Sequence, residues 1–289
     1  MKVLVQTNKR PQVHLEHEFK MIEHAGFIPV PYGYVESEPN VITVFGLEDI
    51  EYDELVFNRP SIQILKKHFV DKAKFLGSIP KGFFTTMDYN PDRFKISKMK
   101  TTPLMLNRYP GMHKFMSLKD ALVAPNKFDT FYKPDNDLKL INGTLVKKGQ
   151  TLADTLAVKN YQFSESQLNS VILQSINTAS EIKEEVRCFV VNGEVVTAAR
   201  YRRNNDTDLT KLTLLEEAVY MSHAHIFIND YYSPSKSFTI DLARLKDGTI
   251  IIIEYNCINT SGMYNINSKA LFDKIKANIS FKFLNTYAK

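Results

Sequence analysis

The stretch FTIDLARLKDGTIIIIEYN, residues 238–256, consists of two apolar runs around a turn and decides how the second half of the chain folds. Asp247-Gly248 predicts a two-residue type I′ turn, since that turn needs φ > 0 at both central positions. In the antiparallel pair closed by such a turn, the numbers of paired residues have a constant sum. Asp241 then lies directly opposite Glu254. The stretch therefore predicts a β-hairpin with two facing carboxylates.

The same register places Thr239 opposite Asn256, on the face that carries both acids, because strand side chains alternate with a period of two. Carboxylates directly across a strand pair have Cβ atoms roughly 5 Å apart and repel each other. A cation between them turns that repulsion into binding energy. Oxygen ligands of this kind suit a hard ion such as Mg²⁺, so Asp241, Glu254 and Asn256 form a predicted metal site. The other members of this face are apolar: Ala243, Leu245, Ile250 and Ile252.

A solvated strand end explains the same residues without any ligand, because Asp, Glu and Asn occur there by chance. The pairing also depends on the turn. A three-residue loop would displace the register, and a shift of one residue moves every side chain to the other face. On the hairpin alone, both interpretations stay open.

The composition excludes several classes of protein. The 289 residues are enough for two or three small lobes. A net charge of +5, from 37 basic and 32 acidic residues, is too small to argue for a nucleic-acid partner. Two cysteines allow neither a disulfide framework nor a zinc cluster. The apolar run in residues 1–12 is too short for a signal peptide, and no stretch of about 18 apolar residues suggests a membrane span, so we expect a cytoplasmic protein.

The predicted elements divide the chain into two parts. Residues 1–110 alternate strands and helices, which is typical of a small α/β lobe with a parallel or mixed sheet. Residues 111–289 contain short strands, two hairpins and two longer helices, which predict an α+β region. Within it we expect a lid lobe over about residues 128–176 and a C-terminal catalytic lobe over about residues 177–289.

The segment FYKPDNDLKLING, residues 131–143, combines lysines with a glycine. Lys133 lies at a predicted strand end, and Lys139 and Gly143 follow it. Lysines can neutralise phosphate oxygens as point charges, and glycine lets backbone N–H groups approach a phosphate closely. Solvated surface lysines are the alternative for each of them. The chain has neither GxxxxGK[ST] nor GxGxxG, so a P-loop or a Rossmann nucleotide site is not supported.

A second hairpin is predicted around Asn192-Gly193. On its first strand Glu185 and Arg187 lie two residues apart and so share a face. A carboxylate can bind ribose hydroxyls, and an arginine can fork onto a phosphate or acyl-phosphate oxygen. The alternative is an ion pair between these two residues on a wet face, worth under about 1 kcal/mol.

The histidines do not indicate a metal site. His14 and His17 are spaced as HxxH, which is not a zinc-protease pattern, and the seven histidines of the chain offer no other metal-ligand spacing. We assign them no chemical role from the sequence.

Taken in order, four segments resemble the ATP-grasp superfamily. They are FYKP at 131–134, VILQSI at 171–176, EEVRCFVVNGEVV at 184–196, and IDLARLKDGTIIIIEYN at 240–256. The resemblance covers roughly residues 128 to 265, and it rests on the order and spacing of the pieces together. It implies an α+β architecture in which two α+β lobes grip ATP, preceded by an α/β lobe.

The resemblance also implies roles for individual residues. Lys133 would bind the α- or β-phosphate, and Glu185 would lie near the ribose. Arg187 would act on the reacting phosphate. The magnesium ligands would be Asp241, Glu254 and Asn256. Backbone groups of three residues would recognise adenine: Gln174, Ser175 and Ile176.

One departure from the family pattern is informative. Many members carry an arginine two residues before the metal-binding aspartate, and here that position is Thr239. The chain is similar to a clade in which this arginine is lost and a lysine elsewhere compensates, for which Lys139 is our candidate. The extension CINTSGMYN, residues 257–265, resembles the turn near the acceptor substrate in carboxylate–amine ligases. Asn259 and Ser261 would then contact substrate.

What the resemblance implies is an ATP- and Mg²⁺-dependent ligase that forms an amide-like bond through an acyl-phosphate. Its partners would be ATP, a carboxylate and an amine or other nucleophile. The clade is associated with joining amino acids or peptides to other molecules, and some members are phage-encoded. A non-catalytic binding module with the same fold and a phosphotransferase are the alternatives.

Overall fold

A computed structural model describes most of the second half of the chain and parts of the first half. The described residues are 2–7, 12–38, 41–45, 55–56, 94–99, 113–135, 140–157, 162–176, 181–230, 233–234, 236–256, 258 and 261–287. A helix that the sequence predicts over residues 61–69, with Ser61 as its N-cap, lies outside them.

The first sheet is formed by the amino-terminal residues. Its strands are β1 (Lys2–Gln6), β2 (Ile28–Glu38), β3 (Val41–Phe45) and β4 (Leu55–Val56), and helix α1 (Gln12–His24) connects the first two. The order is β3-β2-β1-β4. β1 is parallel to β2 and β4, whereas β3 is antiparallel to β2. This is the mixed α/β arrangement that the sequence predicted.

The second sheet is antiparallel, with its four strands in the order β5-β8-β6-β7. Its strands are β5 (His113–Ser117), β6 (Thr130–Pro134), β7 (Thr144–Val146) and β8 (Val171–Ile176). Short helices connect them: α2 (Leu118–Val123), α3 (Leu152–Ala157) and α4 (Glu165–Leu168). The boundary of the predicted lid lobe itself stays a prediction.

The third sheet carries the opening hairpin and is also antiparallel, in the order β11-β10-β9-β12-β13. Its strands are β9 (Ile182–Val191), β10 (Glu194–Arg203), β11 (Asp206–Thr207), β12 (Phe238–Leu245) and β13 (Ile250–Asn256). Two longer helices accompany it, α5 (Leu214–Asp230) and α6 (Ser268–Tyr287). Within the part of the chain that the structure describes, no helix is long and apolar enough to cross a membrane.

Both faces of the third sheet are buried, and the alternation along β9 shows it. Cys188 and Val190 belong to the core cluster that includes residues of α5. Phe189 and Val191 belong to the cluster that includes residues of β1, α1 and α6. Because successive strand side chains point to opposite faces, one strand contributes to both cores. The face of Phe189 is also the face of Arg187 and therefore of the candidate site.

The two predicted turns had different outcomes. Asn192-Gly193 is a two-residue turn with φ of 54° and 82°, as predicted. The type I′ turn predicted at Asp247-Gly248 is wrong. That turn needs positive φ at both residues, but only Gly248 has it, at 89°, and Asp247 does not. Leu245 N–H donates to Thr249 C=O at 2.8 Å, so the loop between them has three residues.

The predicted pairing of the acids is nevertheless confirmed. Asp241 lies opposite Glu254, and Thr239 lies opposite Asn256. A bulge explains this, because Leu242 pairs with Ile252 and one extra residue on β13 is left without a partner in the ladder. The longer loop shifts the register by one residue and the bulge shifts it back.

The same bulge changes which isoleucines line the face of the acids. Ile251 and Ile253 pack with Ala243 on that face. Ile250 and Ile252, which we predicted there, instead contact the core on the side of α5. The prediction was wrong because it assumed unbroken alternation along β13.

A network of buried charges stabilises the face of the third sheet that points away from Arg187 and the candidate site. Arg200 Nε donates to Glu184 Oε2 at 2.8 Å, and the Tyr220 hydroxyl donates to Glu184 Oε1 at 2.7 Å. Arg200 also reaches Glu216 on α5 at 2.8 Å. Burial by itself would raise the pKa of the Glu184 carboxyl, but the hydrogen bonds from Tyr220 and Arg200 outweigh it and lower that pKa.

Candidate active site

Four charged side chains form a row across the third sheet and onto the second. They are Arg187 on β9, Asp241 on β12, Glu254 on β13 and Lys133 on β6. The first three are neighbours by strand register, because Asp241 lies opposite both Arg187 and Glu254. The row therefore reads cation, anion, anion, cation, and all four residues were predicted from the sequence to lie at one site.

The inner end of the row is a forked ion pair. Arg187 Nε donates to Asp241 Oδ1 at 2.8 Å and Arg187 Nη2 donates to Asp241 Oδ2 at 2.7 Å. The Asp241 carboxylate is 1% exposed. Burial raises its pKa above the ordinary value, the Arg187 charge opposes this, and the charges of Glu254 and Glu185 reinforce it. Arg187 therefore holds Asp241 in place through Nε and Nη2, and the phosphate contact that we expected of it stays a prediction.

The outer end of the row joins two sheets. Lys133 Nζ donates to Glu254 Oε2 and forms an ion pair with it. Both side chains keep some contact with solvent, at 18% and 20% exposure. Two residues after Lys133, Asp135 anchors the end of β6, because its two carboxylate oxygens accept from Ser97 N–H and Oγ at 2.7 Å each. A ligand that enters between Lys133 and Glu254 thus meets a lysine held on one sheet and a carboxylate held on the other.

Asn256 connects the two acids. Its Nδ2 donates to Asp241 Oδ2 at 3.2 Å and to Glu254 Oε1 at 3.0 Å. The repulsion that we expected between the acids is therefore offset within the protein, by Arg187, Lys133 and this amide. Facing acids do not by themselves require a metal ion here.

The donor set still fits the ion that we predicted. Among the residues that the structure describes, no three His, Cys, Asp or Glu side chains are grouped as a metal site. The two facing carboxylates offer oxygen donors, which a hard cation such as Mg²⁺ prefers, and the Asn256 amide adds its oxygen once a rotation exchanges Oδ1 and Nδ2. Such ions take few protein ligands and leave positions for substrate phosphates. Asp241, Glu254 and Asn256 are therefore compatible with Mg²⁺ that is shared with a nucleotide.

Two tyrosines at the site were missed by the sequence reasoning. The rings of Tyr201 and Tyr264 stack with centroids 5.3 Å apart and planes 18° apart. The Arg187 guanidinium carbon lies 5.6 Å from the first ring and 5.5 Å from the second. Tyr201 lies in the irregular part of β10 between Arg200 and Arg202, so strand alternation could not place it.

Glu185 lies on the same face but does not pair with Arg187. Its Oε1 accepts from Arg202 Nη1 at 3.0 Å, and the Glu185 side chain is 7% exposed. The alternative of an ion pair between Glu185 and Arg187 is therefore wrong, since each residue has a partner on a neighbouring strand. The role of Glu185 at a ribose stays a prediction.

The three residues predicted at adenine lie at the end of β8. Gln174 and Ser175 are flanked by partners on both β5 and β6, and the described partner of Ile176 is Thr130. The Gln174 side chain is engaged in the sheet, because its Nε2 donates to the Tyr132 hydroxyl at 2.6 Å. The backbone contact of these three residues with adenine stays a prediction.

Local packing explains why residue 143 is a glycine. A Cβ at this position would lie 2.7 Å from Cζ of Phe131, so any side chain would collide with that ring. This packing does not test the predicted phosphate contact. Lys139, the proposed substitute for the missing arginine, lies outside the described residues.

Of the two predicted substrate contacts, the structure describes one. Ser261 is buried at 1% exposure, and its Oγ lies 2.8 Å from Oγ1 of Thr239. The position for which the resemblance implies an arginine is thus occupied here by a threonine that supports the turn after β13. Asn259 lies outside the described residues.

The sequence matches the model of a protein family over most of its length. The family is described as the ATP-grasp domain of R2K clade family 3, and the match covers residues 76–275. No curated protein matches the sequence.

Solved structures of ligases resemble this chain in fold at low sequence identity. The D-cycloserine synthetase DcsG matches with a TM-score of 0.50 and 10% identity, over 96% of this chain and 99% of that one. The L-amino acid ligase from Bacillus licheniformis has a TM-score of 0.47 and 13% identity, over 95% and 75%. D-alanyl-alanine synthetase A from Vibrio cholerae has a TM-score of 0.44 and 13% identity, over 97% of this chain and 98% of that one. At such identities the likeness to the synthetase concerns the fold alone, and the two lower scores add no argument.

Proposed function

The chain belongs to family 3 of the R2K clade of ATP-grasp domains, and from this premise we propose that it couples ATP hydrolysis to the joining of a carboxylate and an amine. Membership makes it an ATP-grasp ligase in general terms, with the predicted α+β architecture. The acyl-phosphate intermediate, the magnesium ligands and the substrate class are our proposal.

The observation that carries the proposal is the position of Glu254. It faces Asp241 on one side, shares the Asn256 amide with it, and meets Lys133 from the second sheet on the other side. A site for Mg²⁺ with a nucleotide needs oxygen ligands for the ion and a cation for the phosphates, next to each other. The two sheets supply these groups at one point.

Each residue then has a role that follows from its contacts. Asp241, Glu254 and Asn256 would hold Mg²⁺, which supplies charge neutralisation at the phosphates when bound. Lys133 would exchange the Glu254 carboxylate for a phosphate oxygen. Arg187 would keep Asp241 ionised and fixed in direction, which makes it a positioning residue. Lys139 stays our candidate for the charge that the family arginine supplies elsewhere.

The chemistry consists of two displacements. A carboxylate oxygen of the substrate attacks the γ-phosphorus of ATP, the bond to the β-phosphate oxygen breaks, and ADP leaves with the electron pair. The amine nitrogen then attacks the acyl carbon, the bond to the phosphate oxygen breaks, and phosphate leaves while the nitrogen loses a proton. Catalysis is chiefly positioning and charge neutralisation.

The proposal is tested by an ADP-release screen of the purified protein with Mg²⁺ and ATP. The panel contains amino acids, short peptides and nucleotides, and mass spectrometry identifies any product. We expect release that depends on an amino acid or a peptide, with a product joined through an amide-like bond. A phosphorylated product that persists would instead indicate a phosphotransferase. No release together with no Mg²⁺–ATP-dependent thermal shift would indicate a module without turnover.

A further inference from the structure

A chain of contacts leads from helix α1 to the candidate metal ligand Asp241. It begins at His17, whose Nε2 lies 3.0 Å from the backbone oxygen of Tyr264. A carbonyl oxygen only accepts hydrogen bonds, so Nε2 carries the hydrogen and donates it. His17, to which the sequence assigned no role, therefore connects helix α1 to the segment that follows β13.

Tyr264 has a costly backbone conformation. Its φ is 51°, and the other described non-glycine residues with positive φ are all asparagines: Asn192, Asn204 and Asn205. A bulky residue in this region is strained by roughly 1–2 kcal/mol and keeps the conformation only where its surroundings impose it. Gly262 contributes to this, because a Cβ there would lie 3.2 Å from the Tyr264 ring. The hydrogen bond from His17 fixes the carbonyl of this strained residue.

The ring of Tyr264 passes the constraint on. It stacks on Tyr201, and both rings lie against the Arg187 guanidinium, with centroid distances of 5.5 and 5.6 Å. Arg187 in turn forks onto both oxygens of Asp241. A movement of the Tyr264 backbone therefore displaces the two stacked rings. These rings support Arg187, and Arg187 orients the carboxylate of Asp241.

We propose that His17 is a positioning residue of the active site, which orients Asp241 through Tyr264 and Arg187. The inference rests on the proposed function, because it assigns His17 an effect on the binding of Mg²⁺ by Asp241. It also gives the amino-terminal lobe a direct part in the geometry of the site, through one hydrogen bond and two aromatic rings.

The test compares the apparent dissociation constant of Mg²⁺ at saturating ATP, here called the Mg²⁺ constant, between the wild type and its variants. It is obtained from the thermal unfolding midpoint as a function of Mg²⁺ concentration. His17→Ala removes the donor, and we expect it to weaken the Mg²⁺ constant about fivefold, the factor that one hydrogen bond is worth. His17→Gln places an amide N–H at a similar reach, and we expect a constant within about twofold of the wild type. His14→Ala is the matched control, since His14 lies exposed one turn earlier on α1.

A second comparison separates positioning from simple stabilisation. On a Tyr264→Gly background, which deletes the ring, the His17→Ala change should no longer affect the Mg²⁺ constant. A lower midpoint without Mg²⁺ and ATP, combined with an unchanged Mg²⁺ constant, would mean that His17 is merely structural and would overturn the inference. If His17→Ala does not fold, His17→Asn takes its place, because its shorter amide does not reach. A wild-type protein without any Mg²⁺–ATP response would overturn the proposed function itself, and this inference with it.

Discussion

Arg187 holds the carboxylate of Asp241 with two nearly parallel hydrogen bonds, at 2.8 and 2.7 Å, in a buried site at the centre of the third sheet. An isolated charge in such a place costs several kcal/mol, so the pair is stable only as long as both members are present. Arg187 is thus part of the scaffold that presents Asp241, our proposed metal ligand.

Arg187→Met should leave a buried carboxylate without its partner. We expect the free energy of unfolding to fall by about 3–5 kcal/mol in the absence of Mg²⁺, measured by urea denaturation. Asp241→Asn on the same background removes the orphaned charge and should restore part of the loss. If the single and the double variant are equally unstable, the ion pair is not what stabilises this part of the sheet.

Asp247→Gly distinguishes the loop that we observe from the one that the sequence predicted. The Asp247 Oδ1 accepts from Thr249 N–H at 2.9 Å, and Asp247 is not among the described residues with positive φ. Glycine would lose this bond and gain backbone freedom in the unfolded chain, so we expect a loss of about 1 kcal/mol. A gain in stability on chemical denaturation would argue for a type I′ turn. Ala at the same position is the control for the side-chain bond alone.

Glu184→Gln tests the network of Glu184, Arg200 and Tyr220 on the face of the third sheet that points away from the candidate site. The pKa of Glu184 lies below its ordinary value of 4.5, because hydrogen bonds from Tyr220 and Arg200 outweigh the effect of burial. A lowered acid pKa contributes stability that is fully present above the unfolded value and is lost as the pH falls through the folded one. We expect the variant to be about 3 kcal/mol less stable than the wild type at pH 7.

The difference between the two proteins should therefore shrink as the pH falls below 4.5. Urea denaturation at neutral pH and at several acidic values measures it, and Glu194→Gln on the exposed end of β10 serves as control. A difference that stays constant over this range would show that the charge of Glu184 does not carry the effect.

The sequence predicted the main elements of the site because its segments are locally unambiguous. The apolar segment VILQSI at 171–176 predicts a strand and is β8 with the same bounds, and the Asn192-Gly193 turn followed from its two residues. The pairing of Asp241 with Glu254 was also correct, although the turn assumed for it was wrong. Two local deviations offset each other there, and a sequence pattern shows neither the three-residue loop nor the bulge.

The contacts across strands could not be predicted in the same way. Whether Arg187 points to a ligand or to Asp241 depends on the order of β9 and β12 in the sheet, which residues far apart in the chain determine. Tyr201 and Tyr264 were missed because one lies at an irregular strand position and the other in a loop. His17 acts through a backbone oxygen 247 positions away, which no local pattern indicates.

The central claim is that Glu254, opposite Asp241, belongs to a magnesium site that serves ATP. The most direct measurement is ADP release by the wild type and by Glu254→Gln, with Mg²⁺, ATP and any panel member that stimulates the wild type. Glu194→Gln is the control outside the site. We predict that Glu254→Gln lowers the rate by at least about 100-fold, the typical effect of removing a charge-stabilising group, with little change in the unfolding midpoint. Undiminished ADP release by folded Glu254→Gln would contradict the assignment.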